Sequence, residues 1–246
     1  METSLHKQLK QAFAEDGAET EVRLGRFRID VVNGERLVEI QHSSLAAIRD
    51  KTATLLKKHQ VDIVKPIVAR KRIVRLDSPE GRPVSERWSP RRRTLFNIFD
   101  ELLHFTRVFP HTNLRLIVPL VEIVETRYPG HGRRRRWRES DFVVADQNLL
   151  SILETSYFQS TDDLNSLLPA ALPRVFDTAD LARETGLNRG ESQRIAYVLR
   201  KTGAAIQVGK AGNRLLYELN VSDKRLPKKT SPRKKTSSTL RKKKSA

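Results

Sequence analysis

The dipeptide Asn33-Gly34 lies between two alternating, β-branched runs, Arg28-Ile29-Asp30-Val31-Val32 and Glu35-Arg36-Leu37-Val38-Glu39-Ile40-Gln41. Asn-Gly in this setting is the strongest short-range hairpin signal, and it restricts the chain to folds with an antiparallel pair here. With Asn33 and Gly34 as a two-residue turn, Val32 faces Glu35, Asp30 faces Leu37 and Arg28 faces Glu39. Alternation then puts Asp30, Glu39 and Gln41 on one face, and Ile29, Val31, Val38 and Ile40 on the other. Asp30 and Glu39 become diagonal neighbours, their Cα atoms about 7–8 Å apart. Two carboxylates at that spacing can converge on one hard cation, which prefers oxygen ligands. The competing reading is a solvent-facing strand in which Glu39 pairs with Arg28 across the ladder.

The flanking residues extend the pattern. Leu5, Leu9, Ala12 and Phe13 have helical spacing after Thr3 or Ser4 as N-cap. A tight turn at Gly25-Arg26 would set Glu21 opposite Asp30, where two carboxylates repel unless a cation lies between them; Glu21 is therefore a candidate third ligand. After Gln41, Ser43 or Ser44 caps a helix through Leu45, Ile48, Leu55 and Leu56 that ends near His59, and Val61 to Val68 reads as a buried strand.

Helix, three strands, helix, strand, with Asp30 ending one strand and Glu39-Ile40-Gln41 on the next, resembles the PD-(D/E)xK nuclease superfamily over residues 1–70. The resemblance is closest to Glu-x-Gln variants such as the CoiA-like competence nucleases. Ile29 stands where the family's Pro would be. The resemblance implies a restriction-endonuclease-like core and Mg²⁺ or Mn²⁺ held by Asp30 and Glu39, with the Ile40 carbonyl and Glu21 as further ligands, and Gln41 orienting the attacking water. An amide can orient a water but cannot supply the charge of the family's Lys. Lys51 on the following helix and Lys65 on the fourth strand are the candidates for that cation; their ordinary readings are a solvated helix face and a strand end.

Charge points to a polyanion. The chain carries 47 Lys plus Arg against 29 Asp plus Glu, a net +18, of which +10 lies in residues 222–246. DNA fits better than a membrane, since no transmembrane or amphipathic stretch accompanies the charge. The lack of cysteine excludes thiol chemistry, and the lack of a signal-peptide pattern suits a cytoplasmic, nucleoid-associated protein. The tail 222–246 is too polar to order itself, and Ser231-Pro232-Arg233-Lys234-Lys235 within it resembles the SPKK elements of linker-histone tails.

The remaining sequence divides in two. Residues 71–158 read as a mixed β extension of the core: a hairpin through Ile73–Leu76 and Val84–Trp88, a helix from Thr94 to Arg107, and strands over Leu114–Thr126 and Trp137–Val144. Arg91–Arg93 and Arg133–Arg136, Arg133 and Arg134 in particular, are candidates to line a DNA groove or are solvated charge runs. After a linker at 159–173, residues 174–221 look like a winged helix-turn-helix: a helix capped by Asp177 or Thr178, Gly186, a second helix over 190–201, and a hairpin turning at Gly209–Asn213. Helical phase turns Arg189, Gln193, Tyr197 and Arg200 outward, with Lys210 and Arg214 on the wing, a set suited to DNA; the alternative is a surface for protein contact or a homodimer.

The expected fold class is thus α+β or α/β, with a nuclease-like core and extension (1–158), the linker, the winged helix and the tail. The expected function is a metal-dependent DNA endonuclease or repair-type nuclease. The alternatives are a noncatalytic DNA-binding regulator on an inactivated nuclease fold and a nucleoid-associated protein whose tail dominates affinity.

Overall fold

Thr3, whose hydroxyl accepts from the His6 amide, starts helix α1 (Ser4–Phe13), and Leu5 and Leu9 on one of its faces are fully buried. This is a computed structural model describing residues 3–130 and 141–220. Arg133, Arg134 and the basic tail lie outside the described residues.

Three antiparallel strands follow, β1 (Glu19–Leu24), β2 (Phe27–Asn33) and β3 (Arg36–Ile40). A 3₁₀ turn over Leu45–Ile48 leads into α2 (Arg49–Leu55), which returns the chain to β4 (Gln60–Val64), parallel to β3. The expected turn at Gly25-Arg26 is present, with Leu24 opposite Phe27.

The β2–β3 hairpin corrects the expected register. Asn33 pairs with Arg36, Val32 with Leu37 and Val31 with Val38, so the two turn residues are Gly34 and Glu35. Gly34 takes φ +57°, which costs a residue without Cβ little. Asn33 is used elsewhere: its amide donates to the Phe13 carbonyl at 3.0 Å and accepts from the Glu15 amide at 3.1 Å, tying the end of α1 to the hairpin. A shift by two preserves the side-chain alternation but moves Glu39 from a diagonal to a position directly opposite Asp30.

A second correction concerns β2. Val31, Val38 and Ile40 pack with Leu5 and Leu9, but Ile29 joins Leu37 in the larger core against α2. The alternation is interrupted at Asp30, opposite Glu21, whose φ of +58° is strained for a residue bearing a Cβ.

The strand expected over 61–68 is divided at Lys65-Pro66. β4 and β5 (Ile67–Leu76) run in line along one long strand, β7 (Leu114–Pro129), at the same offset, Val64 against Ile117 and Ile67 against Leu120. That register sets Pro66 abreast of Pro119, and neither can donate to the ladder. β3 occupies the far side of β4, and β6 (Pro83–Trp88) the far side of β5, so the sheet has a gap between them. The helix expected over 94–107 is only a 3₁₀ turn and α3 (Ile98–Leu102). The strand expected over 137–144 is described from Phe142 and continues to Phe158 as β8, antiparallel to β7.

The segment expected as a linker contains α4 (Thr161–Asn165) and buries Leu164 and Leu168. Next come β9 (Val175–Phe176), α5 (Thr178–Thr185), α6 (Arg189–Thr202), β10 (Ala205–Ala211) and β11 (Arg214–Leu219), the last pairing with both β9 and β10. Helix α6 packs on α3, and Ile195, Leu199 and Tyr217 belong to the same buried cluster as Phe99, Leu116 and Ile29. The architecture is α+β, a mixed sheet covered by helices and continuous with a smaller helical and β unit.

Because that core is shared, urea unfolding followed by circular dichroism and tryptophan fluorescence should give one transition. Leu164→Ala should lower stability by about 2–4 kcal/mol without splitting it. Separate transitions for the sheet and for residues 175–219 would refute the shared core.

Candidate functional site

Where β2 and β3 meet, Asp30 and Glu39 come together below α1 and beside α2. Asp30 is held from both sides: its Oδ2 accepts from the Ile40 amide at 2.8 Å, and its Oδ1 lies 3.3 Å from His6 Nε2. Burial alone would raise its pKa. The His6 contact, the Ile40 N–H and the charge of Lys10 outweigh this and hold the carboxyl below its ordinary value.

Glu39 is only 6% exposed. Burial pushes its carboxyl up to about 7, Lys51 opposes the rise, and the neighbouring Asp30 charge adds to it. Lys51 Nζ lies 2.5 Å from Glu39 Oε1 and donates to the Arg28 carbonyl at 2.5 Å. Lys51 is thus the partner of the buried Glu39 Oε1. A buried carboxylate countered by one ammonium, next to a second carboxylate kept ionised, presents oxygens of the kind a hard divalent cation takes. Among the described residues no group of three His, Cys, Asp or Glu is placed to hold a metal, so a cation here would take the two carboxylates with backbone or water oxygens.

The other expected members are placed differently. Glu21 lies in register with Asp30, but its carboxylate is engaged by Lys10 and Arg28. The expected Arg28–Glu39 pair is replaced by Arg28–Glu21 and Lys51–Glu39. Gln41 continues from β3, yet its Nε2 donates to Ser43 Oγ at 2.7 Å and the Ser44 carbonyl at 2.8 Å. Lys65 is turned away from the carboxylates, toward Glu101 and the carbonyls of His42 and Ser43. His6 and Lys10 were missed by the sequence reading. Their i, i+4 spacing beside the Leu5/Leu9 stripe was the available signal, since one helix face meets both the core and the acidic strands.

In the C-terminal unit Arg189, Gln193, Tyr197 and Arg200 are exposed along one side of α6, and Lys210 is exposed on β10. Lys201 lies over the Tyr197 ring at 5.8 Å. Arg214 is exposed on β11 but donates to Asp177 Oδ2, the N-cap of α5, at 2.7 Å.

Glu39 should set a pH dependence of stability. Its raised pKa means that the folded chain holds the proton more tightly than the unfolded chain, so between pH 4.5 and about 7 stability falls as pH rises. Glu39→Gln should therefore gain stability relative to the parent over this range, by up to about 3 kcal/mol at pH 8. Melting temperatures at pH 5 and pH 8 check this. A difference that does not change with pH would contradict it.

The model of a family described as "Domain of unknown function (DUF8091)" matches residues 3–159, from α1 through the end of β8. An "Uncharacterized protein" of Treponema pallidum (strain Nichols) is 30% identical over 218 residues, covering 88% of this chain and 84% of its own length. That alignment is too long to be confined to the family-matched part, so the similarity runs on into the C-terminal unit. No solved structure matches. With the eight-stranded sheet and both carboxylates inside the matched span, this chain belongs to the DUF8091 family.

Proposed function

We propose that this protein is a metal-dependent nuclease of the PD-(D/E)xK type that hydrolyses phosphodiester bonds in DNA. The observation that carries the reading is the pairing of Asp30, kept ionised, with buried Glu39 at the junction of β2 and β3, in the order helix, three strands, helix, parallel strand. Mg²⁺ or Mn²⁺ bound by these carboxylates would supply a water of lowered pKa and stabilise charge on the scissile phosphate.

The chain's own residues have separate tasks. The Ile40 amide and His6 fix the two oxygens of Asp30, so that the carboxylate is oriented before any ligand arrives. Lys51 sets a positive charge against Glu39, in the role the family gives to a strand lysine. Drawn toward an incoming phosphate, the same ammonium would offset negative charge there. Glu21 anchors Lys10 and Arg28 at the rim. Residues 175–219 act as a winged helix, with Arg189, Gln193, Tyr197 and Arg200 on the helix facing DNA and Lys210 on the wing.

A second reading, DNA binding without turnover, is favoured by one observation. The Gln41 amide nitrogen is held by the Ser43–Ser44 turn rather than by the carboxylates.

Purified protein incubated with supercoiled and linear DNA in Mg²⁺, Mn²⁺ or EDTA distinguishes them. Nuclease action predicts metal-dependent cutting that falls by roughly 100-fold or more in Asp30→Asn and in Glu39→Gln, with Lys51→Ala also impaired. Binding without cutting on every DNA form would select the second reading. In either case Arg189→Ala with Arg200→Ala should weaken DNA binding and flatten its salt dependence by about one unit of slope for each phosphate no longer neutralised.

A further inference from the structure

The gap between the end of β3 and the end of β6 opens into a cleft of about 550 Å³. Its wall begins three residues after Glu39, at His42, Ser43 and Ser44, where Gln41 is also attached. Six basic side chains line it: Lys65, Lys71, Arg87, Arg91, Arg93 and Arg127. Glu101 is the carboxylate of the lining and faces Lys65, while Glu125 beyond it binds Lys71 and Arg127. Among the described residues no carboxylate pairs with Arg87, Arg91 or Arg93. The floor is apolar, with Val68, Ile73 and Ile123, and the side chain of Ser89 adds a hydroxyl.

This arrangement is not that of a solvated charge run. Positive groups from three separate stretches of chain converge on one volume, and Lys65 among them is buried. So much unneutralised charge around an apolar floor is suited to a ligand with a compact, multiply charged group on a less polar body. A phosphomonoester carries about −1.5 to −2 charge at neutral pH and three strong acceptor oxygens, more than the single charge of a phosphodiester. Arg presents its donors in a fork that matches such a group. The volume is within the range of nucleotide-sized ligand sites, about 300–1,000 Å³.

We propose that this cleft binds the terminal phosphate of a nucleic-acid strand, with Arg91 and Arg93 as its principal ligands and Lys71 and Arg87 completing the rim. Assignment to a strand end rests on the nuclease reading above. The phosphate recognition itself does not. Arg91 and Arg93, read from sequence as groove-lining candidates, thereby acquire a defined partner, and a strand end held here would lie next to the loop that leads back to Glu39.

The test uses the full chain in EDTA, where no metal-dependent cutting occurs. Short single strands with an internal fluorophore carry a 5′-phosphate, a 3′-phosphate or only hydroxyl ends, and binding is read by anisotropy. One phosphorylated end should bind roughly tenfold more tightly than the hydroxyl-ended strand. Nucleoside monophosphate should compete that advantage away. Arg91→Ala with Arg93→Ala should abolish the advantage, so that phosphorylated and hydroxyl-ended strands bind alike, whatever loss both share from the two missing cations. Circular dichroism and the urea midpoint establish that the variant is folded. Equal affinity for all three strands, or a preference that survives in the variant, overturns the proposal. So does binding of inorganic phosphate or free nucleotide without any preference among strand ends, which would assign the cleft to a small metabolite. A strand-end preference with no cutting in Mg²⁺ would sink the nuclease reading and leave the cleft, whereas cutting without a preference would do the reverse.

Discussion

One buried ammonium connects the elements on which both sites depend. Lys65 Nζ donates to the carbonyls of His42 and Ser43 and lies 3.2 Å from Glu101 Oε1, so it joins the loop after β3 to the α3 helix from a position inside the sheet. It stands next to the place where Pro66 meets Pro119 in register and the ladder lapses. A break in mid-sheet ordinarily leaves backbone groups to water. Here charge-assisted bonds from Lys65 to the His42 and Ser43 carbonyls hold the loop against the break. The Gln41 amide still reaches the Val64 carbonyl at 2.8 Å, so β3 is kept straight up to the gap. Glu39 thus lies immediately before the break, and the basic cleft opens immediately after it.

Much of this was legible in the residues because it rests on local chemistry. Asn33-Gly34 and Gly25-Arg26 specified turns, and the two-residue register error by itself left the alternation of β3 intact because alternation has period two; the loss of Ile29 from the expected face has a separate cause, the interruption at Asp30. The same period made Asp30 and Glu39 neighbours in either register. What could not be read had tertiary causes. Asn33 left the turn because its side chain serves the end of α1, which no local rule weighs. Residues 145–158 did not read as strand because the β7–β8 ladder shifts register at three points, one at Ala145 and two, at Leu150 and Leu153, that disrupt the alternation of Leu149, Leu150, Ile152 and Leu153. The abutment of Pro66 and Pro119, and with it the cleft, exists only once β4, β5 and β7 are aligned.

The residues around the carboxylates also alter what Gln41 means. Taken alone, Glu39-Ile40-Gln41 lacks the cation that the resemblance calls for. In the fold a positive charge comes to Glu39 from α2, where Lys51 reaches both Glu39 and the Arg28 carbonyl and so bridges the two strands that carry the carboxylates; under the proposed function it would stand in for that cation. The environments then drive the pair apart, Asp30 held down by donors on both oxygens and Glu39 driven up by burial that Lys51 only partly offsets. Such divergence is how two like groups acquire different roles in one site. Lys51 satisfies Glu39 only in part, and the remaining cost of the buried charge is borne by the folded state. A divalent cation would remove that cost and a neutral amide at position 41 would not, so under the proposed function Glu39 would be the residue at which fold stability and cation binding oppose each other.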